Sequence, residues 1–183
     1  MKPDEIFYRI ATGSKRLRTI LTPIGLCVFF GLLLLVIFGS LKMDKTLNFP
    51  ILLPGQIGII IGLVLLISGS FFWIWCIIWF IKARGTPVPF NPPPELVSGG
   101  PYAWSRNPML TGVFAFLFGM GFLLGSISMV LIWIPVFIIF NVIELKLVEE
   151  PELERRFGDS YRAYKKHVPM FFPRRIKPTD LEE

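Results

Sequence analysis

Three stretches of this chain carry no charge, and their lengths limit what it can fold into. Ile20–Leu41 runs for 22 residues, Gln56–Ile81 for 26 and Met109–Ile143 for 35. A helix crosses a hydrocarbon core of ~30 Å with about 20 residues, at ~1.5 Å each. The first two runs therefore predict one span apiece. The third is too long for one crossing and suits two short ones, with Gly119, Gly121, Gly125, Ser126 and Ser128 supplying the turn. With 53% of residues hydrophobic, the expected class is all-α integral membrane. The architecture it predicts is a four-transmembrane-helix bundle in which spans 3 and 4 form a helical hairpin.

Lys and Arg fix the orientation. With both termini cytoplasmic, 17 of them lie inside and 2, Lys42 and Lys45, lie outside. The net charge of +6 then reflects topology and anionic headgroups, so no nucleic-acid partner is expected. The first run exceeds a signal peptide's apolar core and lacks a small-residue cleavage site, so it is expected to stay as a span. The inner membrane of a bacterial or archaeal cell is the expected setting. Cys27 and Cys76 fall inside spans and read as small packing residues, and no metal site is expected.

The chain reads as a single membrane domain. Residues 1–19 predict an interfacial amphipathic helix or, equally, a basic tail. Residues 20–81 hold spans 1 and 2, with Trp73, Trp75 and Trp79 placed as an aromatic belt. Five prolines between Pro87 and Pro94 mark 82–108 as a cytoplasmic loop suited to a lid, or to a stiff spacer. Spans 3 and 4 occupy 109–148, the last kinked at Pro135. In 149–183 the spacing of Leu153, Phe157, Tyr161, Tyr164 and Val168 predicts one cytoplasmic amphipathic helix with one apolar face. Phe171, Phe172, Arg174 and Arg175 are expected to dock the tail at the headgroups.

The chemistry gathers at the start of span 3, in "SRNPMLTG". Asn107 is a good N-cap and Pro108 a favoured first helical residue. Arg106 adds a full positive charge beside unpaired helix N–H groups, which makes a small anion site. Gly112, one turn in, allows a ligand or another helix to approach closely. Because spans 3 and 4 go out and return, Glu149 and Glu150 end on the face that holds Arg106. Pro151 disfavours helical geometry at Glu150 and is expected to turn its carboxylate toward the bundle. A ligand suited to both sites carries a carboxylate, an amine and hydroxyls, and S-adenosylmethionine has all three.

"GGPYAWSRNPMLTG", followed by "EEPELERRFGDSYRAYKKHVPMFFP", resembles the isoprenylcysteine carboxyl methyltransferase and phospholipid methyltransferase group. The resemblance covers about the last hundred residues, from Gly85. It implies a multispan enzyme that takes a methyl group from cytosolic S-adenosylmethionine and passes it to a lipid or lipidated acceptor. It also implies cofactor contacts at Tyr102, Arg106, Asn107, Pro108 and Gly112 in the first motif, and at Glu149 and Glu150 in the second. Arg106 and Glu150 are the expected catalytic pair. Asn107 stands where the prenylcysteine enzymes usually have His, which leans toward the phospholipid branch. Two alternatives stay open: an NADPH-dependent membrane reductase of the sterol type, and a non-enzymatic membrane module. A reductase would need several cations for a 2′-phosphate, and a carrier would need ionisable residues at the bilayer midplane.

Overall fold

The computed structural model describes residues 5, 8–10, 12–83 and 93–171. Residues 1–4, 6, 7 and 11 of the N-terminal segment, loop residues 84–92, and Phe172, Arg174 and Arg175 lie outside these. Among the described residues every regular element is helical. Helix α1 is Lys15–Leu47, α2 Gln56–Lys82, α3 Pro108–Leu123, α4 Ile134–Glu144, α5 Glu150–Phe157 and α6 Asp159–His167. Two π-turns, Met129–Trp133 and Leu145–Glu149, flank α4, and Met129–Phe157 is continuous as one apolar helical run. This run, α1 and α2 are long and apolar enough to cross a membrane, while α3 has 16 residues.

Helix α1 starts earlier than the charge-free run. The Ser14 hydroxyl accepts the Leu17 N–H, so the helix already includes Arg16 and Arg18. At the far end Asn48 closes it in the left-handed region, its N–H donating to the Asp44 carbonyl.

The turn in the 35-residue run falls at Leu124–Ser126, with Gly125 at φ +63°. Gly119 and Gly121, expected in that turn, instead lie inside α3. Gly119 belongs to a set of four glycines at seven-residue spacing. Gly62 and Gly69 of antiparallel α2 meet Gly119 and Gly112 of α3. A Cβ on Gly69 would sit 2.5 Å from the Phe116 nitrogen, and one on Gly119 2.5 Å from the Leu66 nitrogen. These two helices touch backbone to backbone, which apolar helices in lipid need in place of a hydrophobic drive.

Helix α1 joins this pair through the π-turn Met129–Trp133. Leu33 and Val36 pack with Val113, Phe114, Leu117, Met129, Ile134 and Phe137. One polar knot ties the Asp44 end of α1 to the turn after α3. The Asp44 carboxylate accepts the Ser126 hydroxyl and, at 3.0 Å, the Ser128 N–H. Ser126 Oγ in turn accepts the Met129 N–H at 3.1 Å, and the Ser128 hydroxyl donates to the Ser40 carbonyl at 2.9 Å. Asp44 thus caps the descending helix from a neighbouring one. We expect Asp44→Ala to cost about 1–2 kcal/mol, the usual worth of a cap, read as a lower melting temperature in detergent.

Both prolines of the descending run are accommodated rather than disruptive. Each π-turn ends two residues before a proline, Pro135 or Pro151, and the residue between donates its N–H five residues back. Pro151 therefore does not push Glu150 out of the helix: Glu150 is helical, at φ −61° and ψ −44°. The expected single C-terminal helix is two, divided at Gly158 with φ +55°.

Candidate functional site

The residues between α2 and α3 fold onto α2 first. Gly100, at φ +57°, lies over Trp79 so closely that a Cβ would meet the indole at 2.2 Å. Trp79 is thus packed under the loop, and Trp73 lies against Phe29, Phe30 and Phe116. Neither serves simply as a belt residue. Tyr102 is buried with its ring edge-on to Phe80, centroids 5.3 Å apart.

The C-terminal segment holds the next three residues from the other side. The Arg106 N–H donates to the Pro169 carbonyl at 2.9 Å, and the Asn107 N–H to Met170 at 3.1 Å. The Ser105 hydroxyl donates to Met170 at 3.0 Å. Asn107 stands at the N-cap position without a side-chain cap bond; its amide donates to Met170 instead. Phe171 stacks on Phe114 in the core, not at the headgroups.

Arg106 then projects against α5. Its Nη1 stands 2.8 Å from Glu150 Oε1, with the two side chains 11% and 9% exposed. The other Glu150 oxygen takes Lys165 Nζ at 2.8 Å, and Lys165 also reaches Glu154 at 2.9 Å. The hydrogen bond to Glu150 holds the Lys165 ammonium above its ordinary pKa. The Arg106–Glu150 contact has ion-pair distance without hydrogen-bond geometry. Arg106 Nε and Nη1 are buried with no hydrogen-bond partner among the described residues. Tyr164 donates to the Tyr102 carbonyl at 2.6 Å. Burial pushes the phenols of Tyr102, Tyr161 and Tyr164 up; near Tyr161 the Glu150 charge adds to this while Arg106 opposes it. They are hydrogen-bond donors at neutral pH, not bases.

Two cavities meet here. The smaller, about 120 Å³, is lined by Arg106, Glu149, Glu150, Glu152, Arg156 and the apolar faces of Leu153, Phe157 and Tyr161. Pro93, Glu95, Leu96 and Val97 of the loop also border it. The larger, about 420 Å³, is an apolar cleft between α1 and α2–α4, lined by residues such as Ile24, Val28, Phe29, Trp73 and Leu110. Phe80, Tyr102, Arg106, Asn107, Glu144 and Glu149 border both. A charged chamber thus opens on a greasy one across a short polar wall, among helices fit to cross a membrane.

A sequence model of the family described as phospholipid methyltransferase matches residues 57–160, more than half of the chain. The chain belongs to the phospholipid methyltransferase family. Neither the comparison with curated proteins nor that with solved structures gave a match. As a family member this is a multi-pass membrane methyltransferase acting on lipid. The match begins in α2, well before the motifs near Arg106, and so takes in the helix whose Phe80 borders both cavities.

Five of the expected site residues meet at this wall or beside it: Tyr102, Arg106, Asn107, Glu149 and Glu150. Pro108 and Gly112 do not line the cavities. Pro108 is fully buried, and Gly112 faces α2, where a Cβ would lie 2.8 Å from the Trp73 nitrogen. His167 is exposed and lines neither cavity. Sequence reasoning missed Glu144, Glu152 and Arg156. The Glu152–Arg156 pair, 3.5 Å apart, had a signal in its four-residue spacing. Glu144 had one as the first charge after 35 uncharged residues.

Proposed function

We propose that the smaller cavity takes S-adenosylmethionine and the apolar cleft takes the chain of a lipid or lipidated acceptor. The use of the donor resembles that of the isoprenylcysteine carboxyl methyltransferases, and the cleft decides the acceptor. Arg106 carries this reading, as a buried guanidinium whose Nε has no hydrogen-bond partner among the described residues, in a chamber whose other charges are mostly acidic. It would hold the donor's carboxylate. Glu149, with no ion-pair partner among the described residues, would hold the ammonium. Val148, Leu153 and Phe157 offer the apolar surface a nucleoside base needs. Glu150, already engaged by Arg106 and Lys165, acts through Arg106 as a positioning residue. The donor brings an activated methyl group on a sulfonium. The chain's own task is to bind, align the acceptor and exclude water.

Five carboxylates against two guanidinium groups around the chamber favour a ligand with positive charge over one rich in phosphate. That counts against the reductase alternative. We place α3 as a short fourth span of ~24 Å, with both termini and α5–α6 on the cytoplasmic side. The Lys/Arg distribution supports this, and so does Glu5, whose carboxylate lies 3.8 Å from Arg155 at the α5 end.

Glu149→Gln tests the donor site. Calorimetry in lipid nanodiscs should show S-adenosylmethionine binding at least about tenfold weaker, the loss of one charge-assisted hydrogen bond. Unchanged affinity would refute the assignment.

A further inference from the structure

The wall between the cavities holds one carboxylate that the donor site does not use. Glu144 borders both chambers, on the last turn of α4. Glu149 follows it at i+5. In an α-helix that spacing leaves two side chains about 140° apart, at ~100° per residue. Here the π-turn Leu145–Glu149 lies between them, and its wider i→i+5 winding brings the fifth residue back toward the starting face. The inserted residue puts both carboxylates on the same wall. Glu144 makes no ion pair among the described residues, unlike Glu150. On the acceptor side the cleft holds two further polar groups. Asn141 lines it with its amide donating back to Phe137 at 2.7 Å, and Trp73 lines it with a buried indole N–H that has no partner among the described residues.

Resting on the reading of the two cavities given above, we propose that Glu144 is a catalytic residue on the acceptor side. Its carboxylate holds a protonated amine of the lipid headgroup and removes its proton. An ammonium has no lone pair and cannot attack a methyl group. When Glu144 takes the proton, an N–H bond breaks, an O–H bond forms and the pair stays on nitrogen. That pair forms the new N–C bond with the methyl carbon of the sulfonium donor. The C–S bond breaks with its electrons to sulfur, leaving a neutral thioether and a methylated ammonium, and Glu144 returns its proton to water. An anionic acceptor has no such proton to give and would meet the Glu144 charge, so Glu144 favours amines over carboxylates.

The test uses the full chain in phosphatidylglycerol nanodiscs. These are doped either with phosphatidylethanolamine or with phosphatidylpropanol, which has a methyl group in place of the amine. Native mass spectrometry, without donor, reads lipid preference; labelled S-adenosylmethionine reads transfer; calorimetry reads donor affinity. Wild type should prefer the amine lipid. Glu144→Gln should lose that preference and slow transfer by about 100-fold or more, the scale of general-base catalysis, with donor affinity within threefold of wild type. Glu144→Asp, which keeps the charge, should keep the preference and recover part of the rate; it also serves if the Gln variant does not fold. Three results overturn the proposal: no amine preference in wild type, a Gln variant that keeps preference and rate, or one that loses donor affinity in step with transfer. Failure of wild type to bind donor overturns the cavity reading instead, and the lipid-preference arm still judges Glu144.

Discussion

Gly69→Leu should yield little or no folded protein, whereas Gly31→Ala should purify normally and melt slightly higher. The two glycines sit in helices of similar apolar character, so composition does not separate them. What separates them is the space where a side chain would go. At Gly69 a Cβ meets the Phe116 nitrogen at 2.5 Å, the Gly112 oxygen at 2.7 Å and the Ala115 carbonyl carbon at 3.0 Å. All three are backbone, so no side-chain rotation relieves the clash and α2 and α3 must separate. Overpacking of this kind costs about 1–3 kcal/mol for small additions and more for large ones. A leucine adds four carbons, so the expected loss is on the order of 3 kcal/mol or more. At Gly31 nothing lies within 4 Å, and removing a helix glycine is worth about 0.5–1 kcal/mol. Thermal unfolding in detergent, with size-exclusion profiles, reads both. A Gly69→Leu variant as stable as wild type would mean that the helix pair is not held by close backbone contact. The site depends on that contact, because α3 carries Arg106 to the wall and α2 carries Phe80.

This pair also shows which parts of the fold were legible. Charge-free runs gave the long helices, because charge in hydrocarbon is costly whatever the packing. They also required a turn within 109–143. The turn's place was harder, since glycine supports a turn and a close helix crossing equally well. Gly125 does the first and Gly119 the second, and only the partner helix distinguishes them. The apolar spacing from Leu153 to Val168 marked the right face, since Tyr161 and Val168 are buried. It hid the break at Gly158, which leaves the same residues pointing inward.

The site was legible where residue types carry the chemistry and obscure where backbone geometry does. Arg106, Glu149 and Glu150 stood out as a cation and two acids at helix ends on one membrane face, and they do line one chamber. Proline rules placed Glu150 outside helical geometry. The chain instead inserts one residue per proline and stays helical, a device with no sequence signature. That same device hid Glu144, which α-helical spacing sets well away from Glu149. The apolar cleft was hidden too, because it exists only where α1 stands off from α2.

Arg106→Met should abolish measurable donor binding and also destabilise the fold, and pairing it with Glu150→Met should restore only the second. Removing Arg106 leaves Glu150, 9% exposed, facing the site without its nearest cation. Breaking a buried pair this way costs about 3–5 kcal/mol. Lys165, 2.8 Å from the other oxygen, still neutralises part of the charge, so the lower end of that range is expected. Replacing both partners by methionine removes the stranded carboxylate and fills the space with apolar atoms, a change that is often neutral or stabilising. The double variant should therefore melt near wild type. It still lacks the guanidinium, so calorimetry should find no S-adenosylmethionine binding. This separates two roles that a single substitution confounds. If Arg106 served only to strap α3 to α5, the rescued double variant would bind donor as wild type does. The unsatisfied Nε argues otherwise, because a strap with no further task would also turn that N–H to the carboxylate it holds.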